Sequence, residues 1–302
     1  MTNQTSHPDL YLLGGVSPSL EATLAERFTL HRTNPPATTR AIVGGGSSVV
    51  DAALLDRLPA LEIIAIHGVG YDGIDLAATK ARGIPVTTTP DVLTDDVADL
   101  AIGLMLAVQR QIVANDRVVR DGGWQVDFAR RASGRRIGIF GLGRIGKAIA
   151  SRAAPFAREI HYTARSAKPD FEGVFHADIA SLAAACDALI IAAPGGEATS
   201  HIVDAGVLRA LGEDGILVNI ARGSLVDEPA LVAALQDETI AGAGLDVFAD
   251  EPAVPDALKA MDRVVLSPHQ GSATVDGRAA MAALVVANLD AHFGGRALLT
   301  PL

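Results

Sequence analysis

The sequence of 302 residues has one cysteine, one tryptophan and no hydrophobic run long enough to cross a membrane. Because Cys186 has no second cysteine to pair with, an internal disulfide is excluded, and a reducing compartment fits. The longest apolar run, Leu100–Val108, falls well short of the ~20 residues that a spanning helix needs. Residues 1–10 contain no lysine, no arginine and no apolar core, which is not the pattern of a signal peptide. We therefore expect a soluble, cytoplasmic protein.

Positive charge is also scarce, with 25 lysines and arginines against 35 acidic residues and a formal charge of −10. An acidic protein repels nucleic acids and anionic membranes, so neither is an expected partner. The sequence shows no cluster of histidines, cysteines and acids spaced as metal ligands, and no metal is expected. Apolar residues make up 49% of the chain, which is typical of a globular protein, and the length favours two domains.

Short apolar runs alternate with longer amphipathic stretches along the whole sequence. Such runs are typical of buried strands, and the helical stretches between them predict βαβ units with parallel sheets. The predicted strands are Tyr11–Leu13, Ala41–Val43, Glu62–Ile66, Pro85–Thr87, Arg136–Phe140, Ile160–Thr163, Ala188–Ala192, Leu217–Ile220, Gly242–Asp246 and Val264–Leu266.

Two long helices are predicted, from Asp95 to about Arg120 and from Val275 to Phe293. Thr94 is a suitable N-cap for the first helix, and the acids that follow suit the positive end of its dipole. At roughly 26 residues this helix would be ~39 Å long, more than a small domain needs. Helices of this length often bridge domains. We therefore predict a discontinuous first domain, residues 1–94 and 273–302, and a second domain of residues 95–272.

A glycine-rich turn, Gly141-Leu142-Gly143-Arg144-Ile145-Gly146, follows the predicted strand Arg136–Phe140 and precedes the helical stretch Lys147–Ala157. In a strand–turn–helix unit of this kind, backbone N–H groups and the helix amino terminus bind a pyrophosphate. The alternative is a tight turn that packs the helix against the strand and binds no ligand. The context favours a dinucleotide site.

Residues 164–166 follow the next strand, where an NAD site carries an acid for the ribose hydroxyls. Here the segment is Ala164-Arg165-Ser166, and the acid is absent. Arg165 and Ser166 are suited to hold a 2′-phosphate through charge-assisted hydrogen bonds. We expect NADP(H) as the preferred cofactor, with NAD(H) as the alternative. An arginine at this place can also be an ordinary solvated surface residue.

Three further polar side chains follow predicted strands: Arg222, Glu251 and His269. In open α/β sheets ligands bind at the carboxyl ends of the strands, so these side chains are expected to converge. A cation, a carboxylate and an imidazole are the groups needed to bind a small keto acid and protonate its carbonyl. Structural roles are the alternative, with His269 satisfied by Glu251 in the core or Arg222 paired with Glu251.

The segments Asn219–Gly223, Asp246–Pro252 and Ser267–Gly271 have the patterns N-x-x-R-G, D-V-F-x-x-E-P and S-P-H-x-G. In this order after the glycine turn, and together with Gly68–Asp75 and Thr89–Asp99, they resemble the D-isomer-specific 2-hydroxyacid dehydrogenase family over nearly the whole chain. The nearest likeness is to NADPH-dependent glyoxylate/hydroxypyruvate reductases and hydroxyphenylpyruvate reductases. The resemblance implies two doubly wound parallel-sheet α/β domains, a flavodoxin-like substrate domain and a Rossmann cofactor domain, with a cleft between them.

The resemblance also implies a role for each site residue. His269 would protonate the carbonyl oxygen, Glu251 would hydrogen-bond His269 and favour its imidazolium form, and Arg222 would hold the substrate carboxylate. The implied substrate-binding residues are Val69, Gly70, Arg222 and His269. The implied cofactor-binding residues are Gly141, Leu142, Gly143, Arg144, Ile145, Arg165, Ser166, Pro194, Ile220, Ala221, Arg222 and Asp246.

The implied activity is NADPH-dependent reduction of glyoxylate, hydroxypyruvate or an aryl pyruvate to the D-2-hydroxy acid. Alternatives are an NAD-dependent dehydrogenase of another substrate class and a nucleotide-sensing protein similar to a transcriptional corepressor. A homodimer through the cofactor domain is expected, since the first long helix has more apolar surface than one domain covers. Trp124, just after this helix, is expected to pack between domains.

Overall fold

The computed structural model describes residues 7–302, which form two compact α/β units. The first unit runs to Leu93 and resumes with Thr274–Leu302, and the second unit is Thr94–Ala273. Elements are numbered along the chain. The first unit contains β1 Asp9–Leu13, α1 Pro18–Ala25, β2 Thr29–His31, β3 Ala41–Gly45, α2 Ala52–Arg57, β4 Ile63–His67, α3 Leu76–Ala81, β5 Val86–Thr87 and α11 Val275–Phe293.

The second unit contains the remaining elements. They are α4 Thr94–Gln109, α5 Ile112–Arg120, β6 Arg135–Phe140, α6 Arg144–Ala153, β7 Ala157–Thr163, β8 Val174–His176, α7 Ile179–Ala184, β9 Ala188–Ile191, α8 Ala205–Leu211, β10 Ile216–Asn219, α9 Glu228–Gln236, β11 Gly242–Leu245, α10 Asp256–Lys259 and β12 Val264–Leu266.

Both sheets are parallel, and each has the strand order of a known doubly wound fold. The first sheet has the order β2-β1-β3-β4-β5, which is the flavodoxin-like order. The second has the order β12-β11-β10-β9-β6-β7-β8. Counted within its unit this is 7-6-5-4-1-2-3, the Rossmann order with one added edge strand. The predicted fold class of two doubly wound parallel-sheet α/β domains is confirmed.

Alternating side chains of the first sheet supply two separate cores. On β3, Ala41 and Val43 pack in the cluster that includes α1 and α11 residues, whereas Ile42 packs with α2 residues in a cluster on the opposite face. Successive strand residues point to opposite faces, so a sheet covered on both faces needs unbroken apolar runs. All three side chains are fully buried. Burial of a large aliphatic side chain such as Ile42 contributes ~1.5–3 kcal/mol.

The prediction of one continuous helix from Asp95 to Arg120 is wrong. The first helix, α4, ends at Gln109, and a separate helix, α5, begins at Ile112. Gln111 has a left-handed backbone with φ of 50°. The Gln109 carbonyl accepts a hydrogen bond from the N–H of Arg130 at 3.0 Å, where a continuous helix would use the N–H of residue 113. The second predicted long helix, Val275–Phe293, is confirmed.

No single helix among residues 7–302 has the length and apolar content of a membrane span. Helices α4 and α5 meet that length and composition only when taken together, and they bend by 62° at the break. Trp124, which follows α5, is 84% exposed. Its predicted packing between the domains of this chain is therefore wrong.

Asp187, the residue before β9, connects this central strand of the second sheet to its neighbour β6. Its carboxylate accepts hydrogen bonds from the Arg136 backbone N–H at 2.8 Å and the Arg136 guanidinium at 2.6 Å. Burial raises the pKa of this carboxyl, but the hydrogen bonds from Arg136 outweigh burial and hold the pKa below its usual range. The ionised form therefore stabilises the fold above the pKa of an unfolded aspartate. This contribution is lost as pH falls through the lower, folded-state pKa.

Candidate active site

The glycine turn lies at the carboxyl end of β6, as the sequence predicts. Gly141 has φ of 102°, and a Cβ there would come within 2.6 Å of the Ala193 backbone, so only glycine fits. Gly143 is the N-cap of α6, and no side chain of this residue caps the first N–H groups of the helix. A Cβ built at Gly143 would have no neighbour within 4 Å. The turn is therefore packed tightly on its sheet side and open at the amino terminus of α6, which is the arrangement that admits a pyrophosphate.

Residues 164–166 lie just beyond β7, the strand next to β6. The Gly141 N–H donates to the Thr163 carbonyl at 3.0 Å, which joins the glycine turn to the end of β7. Ala164 is half-buried, while Arg165 and Ser166 are exposed. A cation and a hydroxyl thus lie at the strand end where an NAD site has an acid.

Arg222 follows β10 in a loop that the Asn219 side chain organises. The Asn219 amide donates to the Arg222 carbonyl at 2.8 Å and accepts from the Ala221 N–H at 3.1 Å. Gly223 lies so close to the next strand end that a Cβ there would be 1.9 Å from the Phe248 carbonyl carbon. The loop that carries Arg222 is therefore packed directly on the segment after β11.

Asp246, the first residue after β11, holds the loop that carries His269. The residue is 1% exposed. Its carboxylate accepts three hydrogen bonds, from Ser267 Oγ at 2.6 Å, Gln270 N–H at 2.6 Å and Gly271 N–H at 2.8 Å. The Asp246 carbonyl also accepts the N–H of His269 at 2.8 Å. The contact of Asp246 with the cofactor stays a prediction. In the structure, this residue also organises the loop that carries His269.

Glu251 and His269 form a direct pair. His269 Nδ1 lies 2.7 Å from Glu251 Oε2, and Glu251 Oε1 accepts the Phe248 N–H at 3.1 Å. Their side chains are 44% and 32% exposed, respectively, so neither is a core residue. Because Nδ1 faces the carboxylate, Nε2 is the nitrogen that can exchange a proton with a ligand.

The three site residues share one neighbourhood at the carboxyl ends of adjacent strands. Gly223, next to Arg222, packs on Phe248, whose N–H binds Glu251, which in turn binds His269. The structural reading in which His269 is a core histidine does not fit its exposure. The organising roles of Asn219 and Ser267 were not predicted, although both residues stand inside the quoted motifs.

The other predicted residues lie in the elements that the sequence suggested. In the loop after β10, Ile220 is 7% exposed and Ala221 is half-buried. Pro194 follows β9, and its carbonyl accepts a hydrogen bond from Thr199 Oγ1 at 2.9 Å. Val69 and Gly70 lie in the first unit, in the loop after β4. Among residues 7–302, no group of three or more His, Cys, Asp or Glu side chains is arranged to hold a metal ion.

Substitution of Asp246 by Asn is expected to loosen the loop that carries His269. The amide oxygen carries no charge and the amide NH₂ group cannot accept, so the hydrogen bonds to Gln270 and Gly271 weaken or are lost. Hydrogen exchange measured by mass spectrometry should show protection of the Gln270 and Gly271 amides falling about tenfold or more. The matched control is Asp250→Asn, an exposed acid nearby. Unchanged protection in Asp246→Asn would contradict the organising role.

Residues 102–271 match the family model described as D-isomer specific 2-hydroxyacid dehydrogenase, NAD binding domain. A hydroxyphenylpyruvate reductase of Plectranthus scutellarioides is 48% identical over 301 residues, covering 95% of this chain and 96% of the relative. A glyoxylate/hydroxypyruvate reductase A of Arabidopsis thaliana has the same identity and coverage.

A solved structure gives the same result at the level of the fold. The NADPH-dependent glyoxylate/hydroxypyruvate reductase of Sinorhizobium meliloti, in complex with NADP and malonate, matches with a TM-score of 0.91 and 43% identity, over 98% of this chain and 97% of that one. Sequence and fold agree over nearly the full length. The chain therefore belongs to the D-isomer specific 2-hydroxyacid dehydrogenase family, and it is an oxidoreductase that uses a nicotinamide cofactor.

Proposed function

We propose that the protein reduces a small 2-keto acid to the D-2-hydroxy acid and prefers NADPH as the reductant. The observation that carries this proposal is the 2.7 Å pair of His269 and Glu251, whose segment packs on the loop that carries Arg222. In the proposal, residues 1–94 and 273–302 bind the substrate, and residues 95–272 bind the cofactor.

The second unit has the features that a nicotinamide dinucleotide needs. The open amino terminus of α6 at Gly143 suits the pyrophosphate, with Leu142, Arg144 and Ile145 beside it. Arg165 and Ser166 suit a 2′-phosphate, and position 164 is an alanine, so no carboxylate stands there to repel the phosphate. When bound, the reduced nicotinamide supplies the hydride. Pro194, Ile220, Ala221 and Asp246 are assigned to the remaining cofactor contacts.

The side chains of this chain would manage the substrate and the proton. The planar guanidinium of Arg222 offers parallel N–H donors to the substrate carboxylate, and the backbone N–H groups of Val69 and Gly70 are assigned to the same carboxylate. His269 Nε2 donates its proton to the carbonyl oxygen as the carbon is reduced. The neutral imidazole then regains a proton from solvent, and the hydrogen bond of Nδ1 to Glu251 keeps Nε2 directed at the substrate.

The substrate class is proposed as glyoxylate, hydroxypyruvate or an aryl pyruvate. The names of the two relatives with 48% identity support both small and aromatic keto acids. Binding of NADPH without turnover of any keto acid would favour a nucleotide sensor. A preference for NADH would favour an NAD-dependent dehydrogenase of another substrate class.

The wild-type enzyme should oxidise NADPH with at least one of glyoxylate, hydroxypyruvate, phenylpyruvate and hydroxyphenylpyruvate, with a lower KM for NADPH than for NADH. Substitution Arg165→Ala should raise the NADPH KM about tenfold or more, because a charge-assisted contact to phosphate is lost. The NADH KM should change little. Steady-state absorbance assays at 340 nm measure all of these quantities.

The matched control for Arg165 is Arg158→Ala, an exposed arginine near the start of the same strand β7. This control should alter neither KM. Equal effects of Arg165→Ala on NADPH and NADH would show that Arg165 does not recognise the 2′-phosphate.

Removal of the imidazole in His269→Ala should lower kcat about 10²–10⁴-fold, the range for a general acid. Substitution Glu251→Gln should also lower kcat, about tenfold or more, because a neutral amide replaces the carboxylate in the hydrogen bond to Nδ1 of His269. Steady-state assays of keto-acid reduction at saturating NADPH measure both kcat values.

Two controls match these variants. His201→Ala removes an exposed imidazole from a residue that, like His269, has positive φ. Glu228→Gln removes a carboxylate that accepts the N–H of Ala249 at 3.3 Å but does not contact His269. Both controls should keep the wild-type kcat. An unchanged kcat in Glu251→Gln would remove Glu251 from its assigned role.

We propose in addition that the chain forms a homodimer through the second unit. Several large apolar side chains on α5 and the segment after it are exposed by 50% or more, namely Ile112, Val119, Trp124, Val126 and Phe128. Apolar surface of this kind is typical of a protein interface. Light scattering should give twice the chain mass of 31.1 kDa. Phe128→Asp should shift this mass toward one chain, whereas Val275→Asp in the first unit should not.

A further inference from the structure

Tyr162 is a buried aromatic residue that contacts the segment after β7, which carries Arg165 and Ser166. It occupies the last position but one of β7 and is 2% exposed. Its hydroxyl accepts a hydrogen bond from the Lys168 backbone N–H at 2.8 Å, across six positions of the chain. This bond joins the strand to the far end of the exposed segment.

Two aromatic rings fix the position of that hydroxyl. Phe171 meets Tyr162 edge to face, with ring centroids 5.3 Å apart and an interplanar angle of 86°. Phe175, its register partner on β8, lies 5.6 Å away at 54°. The Phe171 N–H also donates to the Lys168 carbonyl at 3.1 Å. A ring held on two sides has little rotational freedom, so its hydroxyl is a fixed acceptor.

The near end of the segment is also fixed. The Thr163 carbonyl accepts the Gly141 N–H at 3.0 Å, and Thr163 Oγ1 donates to the Asp178 carbonyl at 3.4 Å. Arg165 and Ser166 therefore stand in the middle of a short span that is tied at Thr163 and at Lys168. Both residues are exposed to solvent.

We propose that Tyr162 is a positioning residue for the choice between NADPH and NADH. Its hydrogen bond to Lys168 holds the span so that Arg165 and Ser166 face one phosphate position, which lowers the ordering cost on binding. The inference rests on the proposed NADPH preference and adds a residue that contacts no part of the cofactor. A ring that only filled the core would affect both cofactors alike.

Tyr162→Phe tests the inference, because it keeps the ring and removes only the hydroxyl. We expect the KM for NADPH to rise about threefold to tenfold, the effect of one lost hydrogen bond. The KM for NADH and both kcat values should stay within about twofold. Calorimetric titration should show weaker binding of 2′,5′-ADP, which carries the 2′-phosphate, and unchanged binding of 5′-AMP.

The matched control is Tyr11→Phe, on β1 of the first unit, which should change neither nucleotide's binding. In the double variant Tyr162→Phe/Arg165→Ala, removal of the hydroxyl should have no further effect on the NADPH KM, since Tyr162 acts through the span that carries Arg165. Thermal unfolding followed by circular dichroism confirms that each variant is folded, and the two titrations report on binding even where turnover is low.

The outcomes separate this inference from the proposed function. In one outcome, Arg165→Ala raises the KM for NADPH alone, while Tyr162→Phe changes the KM values for both cofactors equally or not at all. This result overturns the role of Tyr162 and leaves the NADPH preference standing. An unselective effect of Arg165→Ala overturns both. Additive effects in the double variant would show that Tyr162 acts independently of Arg165, which also overturns the inference.

Discussion

The buried carboxylate of Asp246 is the interaction on which the geometry of the candidate site depends. A charge with 1% exposure is costly unless each oxygen is hydrogen-bonded, and here three donors from residues 267–271 satisfy it. The end of β11 and the loop after β12 are therefore held together by the hydrogen bonds that this buried charge requires. The backbone of His269 is part of that loop and also donates to the Asp246 carbonyl, so Asp246 fixes the backbone from which the imidazole projects.

The sheet order explains why the candidate site residues lie at the same end of the second sheet. Strands β10, β11 and β12 are neighbours in the second sheet, and all run in one direction. Their carboxyl ends therefore deliver Arg222, Glu251 and His269 to one edge, although 47 positions separate the first from the last (222 to 269). The glycine turn and the Arg165 segment follow β6 and β7, on the other side of β9. The carboxyl-terminal end of one sheet thus carries both the residues proposed for proton transfer and those proposed for phosphate binding.

The interior strands and the site motifs were predictable because their signals are local. Apolar runs such as Ile63–His67 and Ala188–Ile191 are fully buried, so hydrophobicity alone predicted them to within one or two residues. The edge strands β2 and β8 were missed because each has three residues, none of them fully buried. The break at Gln109 was missed because it depends on the N–H of Arg130, a tertiary contact that no helix pattern contains. The motifs predicted where Asp246 stands, whereas the three donors on its carboxylate became visible only in three dimensions.

Cys186 has a consequence for how this protein can be handled. The residue is 2% exposed, and burial raises the pKa of its thiol to about 12. Only the thiolate attacks electrophiles, and at neutral pH about one thiol in 10⁵ would be ionised. Since the sequence has no other sulfhydryl group, the folded protein offers no reactive thiol to maleimides. A cysteine introduced at a chosen exposed position would become a unique attachment point for a fluorophore or a spin label.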